Sequence, residues 1–136
     1  MKNQFGIVIV THGNLGDTLL ETCGMITGEN EDITSISVQA GDDFEKTRDR
    51  IADAIKEGRG DKGVILLVDM FGGTPSNISL SFLNAEDIEV VTGVNLPMLT
   101  KLRSLGTDIT LREAASTLRD YGREHIKVAT EYLVED

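Results

Sequence analysis

Two residues of this chain carry the types needed for nucleophilic chemistry. His12 follows the aliphatic run Ile7-Val8-Ile9-Val10-Thr11, and Asp69 follows Val64-Ile65-Leu66-Leu67-Val68. A neutral imidazole is a nucleophile through one ring nitrogen. A carboxylate on the opposite N–H fixes the tautomer and favours the positive charge that grows on attack. One histidine with one orienting aspartate is therefore the minimum equipment for a phosphohistidine. Glycines accompany both residues: Gly13 on one side, and Gly72-Gly73 ahead of Thr74-Pro75 on the other. Glycine removes bulk where backbone N–H groups face an anion, and the Thr74 hydroxyl is a further donor. No Lys or Arg stands in residues 11–14 or 69–75. An anion there is held by dipoles, which suits a carrier that must release its cargo. Plainer uses are open to the same residues, since Asp69 can cap a turn and Gly72-Gly73 can form a tight loop.

These side chains need elements to bring them together. Phe5 to Val10 reads as a buried strand, followed by a loop Thr11-His12-Gly13-Asn14. A helix suits Leu15 to Thr27, with Leu15, Leu19, Cys23 and Ile26 along one face and Gly28 as its stop. Ile33 to Val38 fits a second strand. Asp42 and Asp43 can cap a helix whose inward stripe is Phe44, Thr47, Ile51 and Ile55, closed by Gly58. Gly63 to Val68 is the most apolar run and so a central strand. Thr74-Pro75 then looks like an N-cap with proline at the first helical position, opening a helix to about Leu83. Ile88 to Thr92 gives a fourth strand, Pro97 opens a short helix to about Ser104, and Thr110 to Glu113 has the capping-box pattern. The tail fits either period: Ile126, Val128, Thr130, Tyr132 and Val134 alternate as a strand does, whereas Ile126, Ala129 and Leu133 suit a helix.

Alternating strands and helices imply parallel pairing through right-handed crossovers. The expected fold is an α/β doubly wound open sheet of four parallel strands in the common order 2-1-3-4, with helices on both faces and an alternating tail compatible with one more C-terminal strand. Ligands of such sheets bind beyond the carboxyl ends of the strands, where the winding reverses. His12 and Asp69, at the ends of the first and third strands, would meet there, under helices starting near Leu15 and Pro75 whose N-termini favour an anion.

Bulk composition narrows the function. The 136 residues amount to one domain, with a formal net charge of −10 that argues against nucleic acid as a partner. The single cysteine, Cys23, excludes an internal disulfide and fits a reducing compartment. Neither a signal peptide nor an apolar run of membrane-spanning length is visible, so a cytoplasmic location is expected. His125, beside Glu124 in the polar tail, reads as a solvated surface residue.

At the residues already singled out, the chain resembles the enzyme IIA component of the mannose family of the bacterial phosphoenolpyruvate-dependent sugar phosphotransferase system. The matching stretches are Ile7-Val8-Ile9-Val10-Thr11-His12-Gly13, Leu66-Leu67-Val68-Asp69-Met70-Phe71-Gly72-Gly73-Thr74-Pro75 and Gly93-Val94-Asn95-Leu96-Pro97-Met98-Leu99, in order and across nearly the whole chain. The resemblance implies a phosphocarrier that takes a phosphoryl group from the carrier protein HPr on Nε2 of His12. It would pass the group to an enzyme IIB partner, and only indirectly to the membrane permease. It also implies an Asp69 bonded to Nδ1, phosphate contacts at Gly13, Gly72, Gly73 and Thr74, and a pocket rim of Phe71, Pro75 and Asn95. No cofactor is implied. The family fold adds an antiparallel strand to the four parallel ones, and members commonly form homodimers, in some of which the C-terminal strand is exchanged between subunits.

Other classes fit less well. A receiver phosphorylated on Asp69 needs acidic residues after the first strand to hold Mg²⁺, and Thr11-His12-Gly13 has none. His12 and Asp69 are only two ligands, so no metal site is expected, and no G-x-S-x-G elbow of a serine hydrolase occurs. The dihydroxyacetone kinase phosphotransferase subunit shares the domain but typically has a Gly-Ser pattern in the second loop, so Phe71-Gly72-Gly73-Thr74-Pro75 favours the sugar branch. A stand-alone regulatory module would use the same His12. Related domains also occur in larger transcriptional regulators, whose DNA-binding or ATPase domain is not expected in a chain ending at Asp136 unless it is an excised fragment.

Overall fold

The computed structural model describes residues 4–28 and 32–133. Four strands, β1 (Gly6–His12), β2 (Ile33–Val38), β3 (Val64–Val68) and β4 (Ile88–Thr92), form one sheet in the order β2-β1-β3-β4, all parallel. The helices between them are α1 (Leu15–Thr27), α2 (Phe44–Gly58) and α3 (Thr74–Leu80); α4 (Leu96–Lys101), a 3₁₀ turn over Leu102–Ser104, α5 (Leu111–Glu124) and α6 (Ala129–Leu133) follow.

Strand alternation divides the core in two. Ile7, Ile9, Ile65 and Leu67 point to the side covered by α1, α4 and α5, where they meet Cys23, Met98, Leu99, Ala114 and Leu118. Val8, Val10, Val64 and Leu66 point to the other side, against Ile51 and Ile55 of α2 and Ile78 of α3. Burial on both faces explains why β1 and β3 read as unbroken aliphatic runs instead of alternating ones.

Local chemistry sets the helix ends. Asp43 caps α2, its side chain accepting the Lys46 N–H at 2.9 Å, and Asp42 holds the preceding turn by accepting Gln39 N–H at 2.7 Å. Thr110 and Glu113 form a complete capping box at the start of α5. Replacing Thr110 with alanine is expected to cost about 1 kcal/mol of stability, read as a lowered melting temperature, with the chemistry at His12 untouched.

Several expectations need correcting. Leu15 and Ile26 are exposed, not part of the α1 seam, which is carried by Leu19, Leu20 and Cys23. Phe44, the first residue of α2, is likewise exposed, and the inward stripe is carried by Thr47, Ile51, Ala54 and Ile55. α3 begins one residue earlier than Thr74-Pro75 suggests: Gly73 is the N-cap, Thr74 the first helical residue and Pro75 the second, and the helix ends at Leu80. The tail adopts the helical alternative over Ala129–Leu133, and no fifth strand occurs among the described residues; Val134 lies outside them.

Candidate functional site

The winding of the sheet reverses between β1 and β3, which opens a crevice beyond their carboxyl ends. Register decides what enters it. β1 pairs with β3 only as far as Val10↔Val68, but with β2 it continues through Thr11↔Ser37 and His12↔Val38. Thr11 and His12 thus belong to the strand, not to the loop the sequence suggested, and His12 stands beside the turn that Asp69 begins. The overrun comes from β2, whose backbone also accepts Gly13 N–H at Val38 O (2.9 Å).

The two side chains meet. Asp69 Oδ2 lies 2.9 Å from His12 Nδ1 and also accepts the His12 backbone N–H at 2.9 Å. Its other oxygen, Oδ1, accepts Met70 N–H at 3.0 Å. Asp69 therefore caps its own turn and orients the ring at once. Its side chain is 10% exposed against 50% for His12, so the carboxylate supports from below while the imidazole reaches solvent. Burial raises the Asp69 pKa. The hydrogen bonds from the His12 backbone and ring, the attraction of the imidazole and the Met70 N–H together outweigh it and hold the carboxyl below its ordinary value of 3.8.

This depression has a pH signature. A carboxyl whose pKa is lower in the folded state contributes stability above its unfolded pKa, and loses it as pH falls through the folded one. Wild type is therefore expected to lose more stability than Asp69→Asn as pH is lowered through about 4, the difference vanishing in stronger acid. At neutral pH, Asp69→Asn is expected to slow group transfer at His12 by roughly 10²-fold, since the amide no longer balances charge on the ring. Melting curves across pH and transfer rates in the same buffers test both; a large melting loss with normal transfer would make Asp69 purely structural.

With Nδ1 turned to Asp69, Nε2 is the ring nitrogen left to react. It faces the start of α3. A Cβ placed on Gly73 would lie 3.1 Å from both Cε1 and Nε2 of His12, and Gly73 has φ +86°, a conformation that favours glycine. Helix geometry leaves the amides of Gly73, Thr74 and Ser76 without helical partners, and Pro75 has none to leave. Of these residues Gly73 lies against the Cε1–Nε2 edge of His12, and Thr74 is exposed beside it in the chain.

The other candidates are placed as follows. Gly13 and Gly72 also have positive φ and lie in the β1–α1 and β3–α3 turns. Phe71 is 73% exposed beside the crevice, whereas Pro75 is buried at the foot of α3. Asn95 has a different occupation from the rim expected of it. Its Oδ1 caps α4 by accepting Met98 N–H at 3.0 Å, and its Nδ2 donates to Gly122 O of α5 at 3.1 Å. The N-terminus of α1 contributes less than sequence suggests, because Gly16 N–H is already taken by the buried Thr11 hydroxyl at 2.9 Å. His125, by contrast, is the exposed surface residue expected, its Nδ1 2.8 Å from Tyr121 O. Among the described residues no group of three or more His, Cys, Asp or Glu side chains could hold a metal ion.

The doubly wound parallel sheet, with an imidazole–carboxylate pair at its switch point, is the α/β architecture of the phosphotransferase IIA proteins. The chain belongs to the mannose-family enzyme IIA components of the phosphotransferase system: residues 6–118 match the family described as PTS system fructose IIA component. It is 32% identical over 132 residues to the fructose-specific EIIA component of Bacillus subtilis, covering 96% of this chain and 90% of that one. It is 34% identical over 131 residues to the mannose-specific EIIAB component of Escherichia coli, covering 95% of this chain but only 41% of the longer relative. Among solved structures it resembles the PTS IIA protein associated with the fucose utilization operon from Streptococcus pneumoniae, with TM-score 0.83, 27% identity and 98% of each chain covered. The family is one of phosphotransferases that act as phosphocarriers in sugar uptake.

Proposed function

We propose that His12 is the phosphoryl-carrying residue of this protein, receiving the group from HPr and handing it to an enzyme IIB partner. The observation that carries this reading is the bond between His12 Nδ1 and Asp69, which leaves Nε2 open under the start of α3. The Nε2 lone pair attacks the phosphorus of the donor phosphohistidine, and the P–N bond to the donor ring breaks, its electron pair leaving with that ring. His12 keeps its Nδ1 proton, so the phosphorylated ring gains positive charge opposite the Asp69 carboxylate. The amides of Gly73, Thr74 and Ser76, with the Thr74 hydroxyl, hold the phosphoryl oxygens, assisted by the turns at Gly13 and Gly72. Onward transfer repeats the step in reverse.

Exchange between two proteins needs a surface that both can meet. Met70 and Phe71, 54% and 73% exposed beside the site, are apolar anchors for such docking. Residues 1–136 act in this reading as a single IIA domain in the cytoplasm; no helix among the described residues is long and apolar enough to cross a membrane. A homodimer belongs to the same proposal. The outer edge of β4 has no strand partner among the described residues, and a cleft of about 330 Å³ beside it is lined by Glu89, Thr92, Arg112, Ser116 and Arg119. Ile126, Val128, Tyr132 and Leu133 of the tail are exposed in the single chain.

Reconstitution tests the reading. Incubation with phosphoenolpyruvate, enzyme I and HPr is expected to add one phosphoryl group by intact mass, and candidate IIB proteins are expected to remove it. Acceptance without onward transfer to any IIB would point to a regulatory module, and no acceptance would refute the carrier role.

A further inference from the structure

We propose that Thr11 is a positioning residue for transfer at His12: its hydroxyl clasps the β1–α1 turn and through that turn sets the imidazole. The proposal rests on the reading of His12 as the phosphoryl carrier. Thr11 lies on the α1 side of β1, in register with Ile7 and Ile9, and is fully buried. Valine has nearly the same shape and no polar atom to satisfy, whereas a hydroxyl taken out of water is unfavourable unless it is bonded. Here it is bonded across the turn. Gly16 N–H, the second amide of α1, donates to Thr11 Oγ1 at 2.9 Å, and the hydroxyl reaches toward Gly13 O at 3.5 Å. The clasp therefore encloses Gly13, Asn14 and Leu15, the residues that immediately follow the histidine.

The neighbours leave the turn little room to slip. A Cβ on Gly16 would fall 2.5 Å from Ser35 Oγ and 3.1 Å from Ile9 Cγ2, so α1 lies too close to the sheet to re-seat. On its far side, His12 is held by Asp69 through both its backbone N–H and Nδ1, and Gly73 closes on its Cε1–Nε2 edge. If the turn rotates, the ring must either leave Asp69 or press against Gly73. Thr11 touches none of the reacting atoms and acts through His12. The same bond keeps the Gly16 amide away from the anion, leaving its retention to the start of α3.

Thr11→Val removes the hydroxyl and keeps the shape; Thr11→Ser keeps the hydroxyl. In the unphosphorylated protein, Thr11→Val is expected to speed hydrogen exchange at the Gly16 amide by about tenfold or more and to shift the ¹⁵N resonances of the His12 ring, and Thr11→Ser to restore both. With phosphoenolpyruvate, enzyme I and HPr, the initial rate of acceptance is expected to fall about tenfold in Thr11→Val and to stay within about twofold in Thr11→Ser. A Thr11→Val protein that melts lower, yet keeps the wild-type ring spectrum and acceptance rate per folded molecule, overturns the proposal. Should wild type accept no phosphoryl group, the carrier reading fails, while the ring spectrum still decides whether Thr11 sets the imidazole. If Thr11→Val does not fold, Thr11→Ala carries the same measurements.

Discussion

His12→Ala is expected to accept no phosphoryl group at all while keeping its fold. The substitution removes the one nitrogen that Asp69 orients, and the sheet edge offers no substitute nucleophile in that geometry. The other imidazole, His125, caps the end of α5 with its Nδ1 on the Tyr121 carbonyl and its ring 4.0 Å from that of Tyr121, so no carboxylate prepares it for attack. The stability cost is small because the imidazole is half exposed, and because Asp69 keeps its bonds from the His12 and Met70 backbone amides. A loss of about 1 kcal/mol or less is expected, the scale of one exposed hydrogen bond. Intact mass after incubation with the phosphorylating proteins, together with a melting curve, checks both halves. A mass gain that survives the substitution would move the carrier site elsewhere.

The second large effect concerns bulk over Nε2. Gly73→Ala is expected to reduce phosphoryl acceptance by roughly 10²-fold, since a methyl group would press on the nitrogen that must reach phosphorus. That substitution also carries a backbone penalty, because Gly73 has φ +86° and an alanine there is strained by about 1–2 kcal/mol. Gly72 separates the two causes. It has φ +95° but nothing within 4 Å of where its Cβ would lie. Gly72→Ala therefore shares the strain without the obstruction, and is expected to melt lower while losing much less transfer than Gly73→Ala. Equal loss of transfer in both variants would show that backbone strain, not contact with the ring, governs the site.

Taken together, these variants separate three jobs in the proposed carrier reading, in which His12 supplies the nitrogen, Asp69 selects which nitrogen reacts, and Gly73 leaves room for the incoming group. Asp69 can do its part cheaply because it is satisfied three times over, by two amides and one ring. A buried carboxylate with fewer partners would take up a proton instead of presenting a charge.

Much of this was legible in the residues alone. The aliphatic runs of β1 and β3, the Asp43 cap, the capping box at Thr110 and the stop at Gly28 are local signals. Hydrophobic period and capping act within a few residues, so the four strands followed from sequence pattern, their parallel pairing from the alternation with helices, and their order from the common doubly wound arrangement. His12 and Asp69 could be placed at one sheet edge for the same reason. Register was decided only by tertiary structure, because it depends on which strand outruns its neighbour: the pairing of His12 with Val38 turns a loop residue into the last residue of a strand. Tertiary contact also moved the cap of α3 from Thr74 to Gly73, committed Asn95 to the joint between α4 and α5, and withdrew the Gly16 amide into the Thr11 clasp. The ambiguous tail, whose apolar residues satisfy both periods, took the helical form for which sequence pattern showed no preference. For Asn95 and the Gly16 amide, a donor or acceptor had several possible partners along the chain, and packing in three dimensions selected among them.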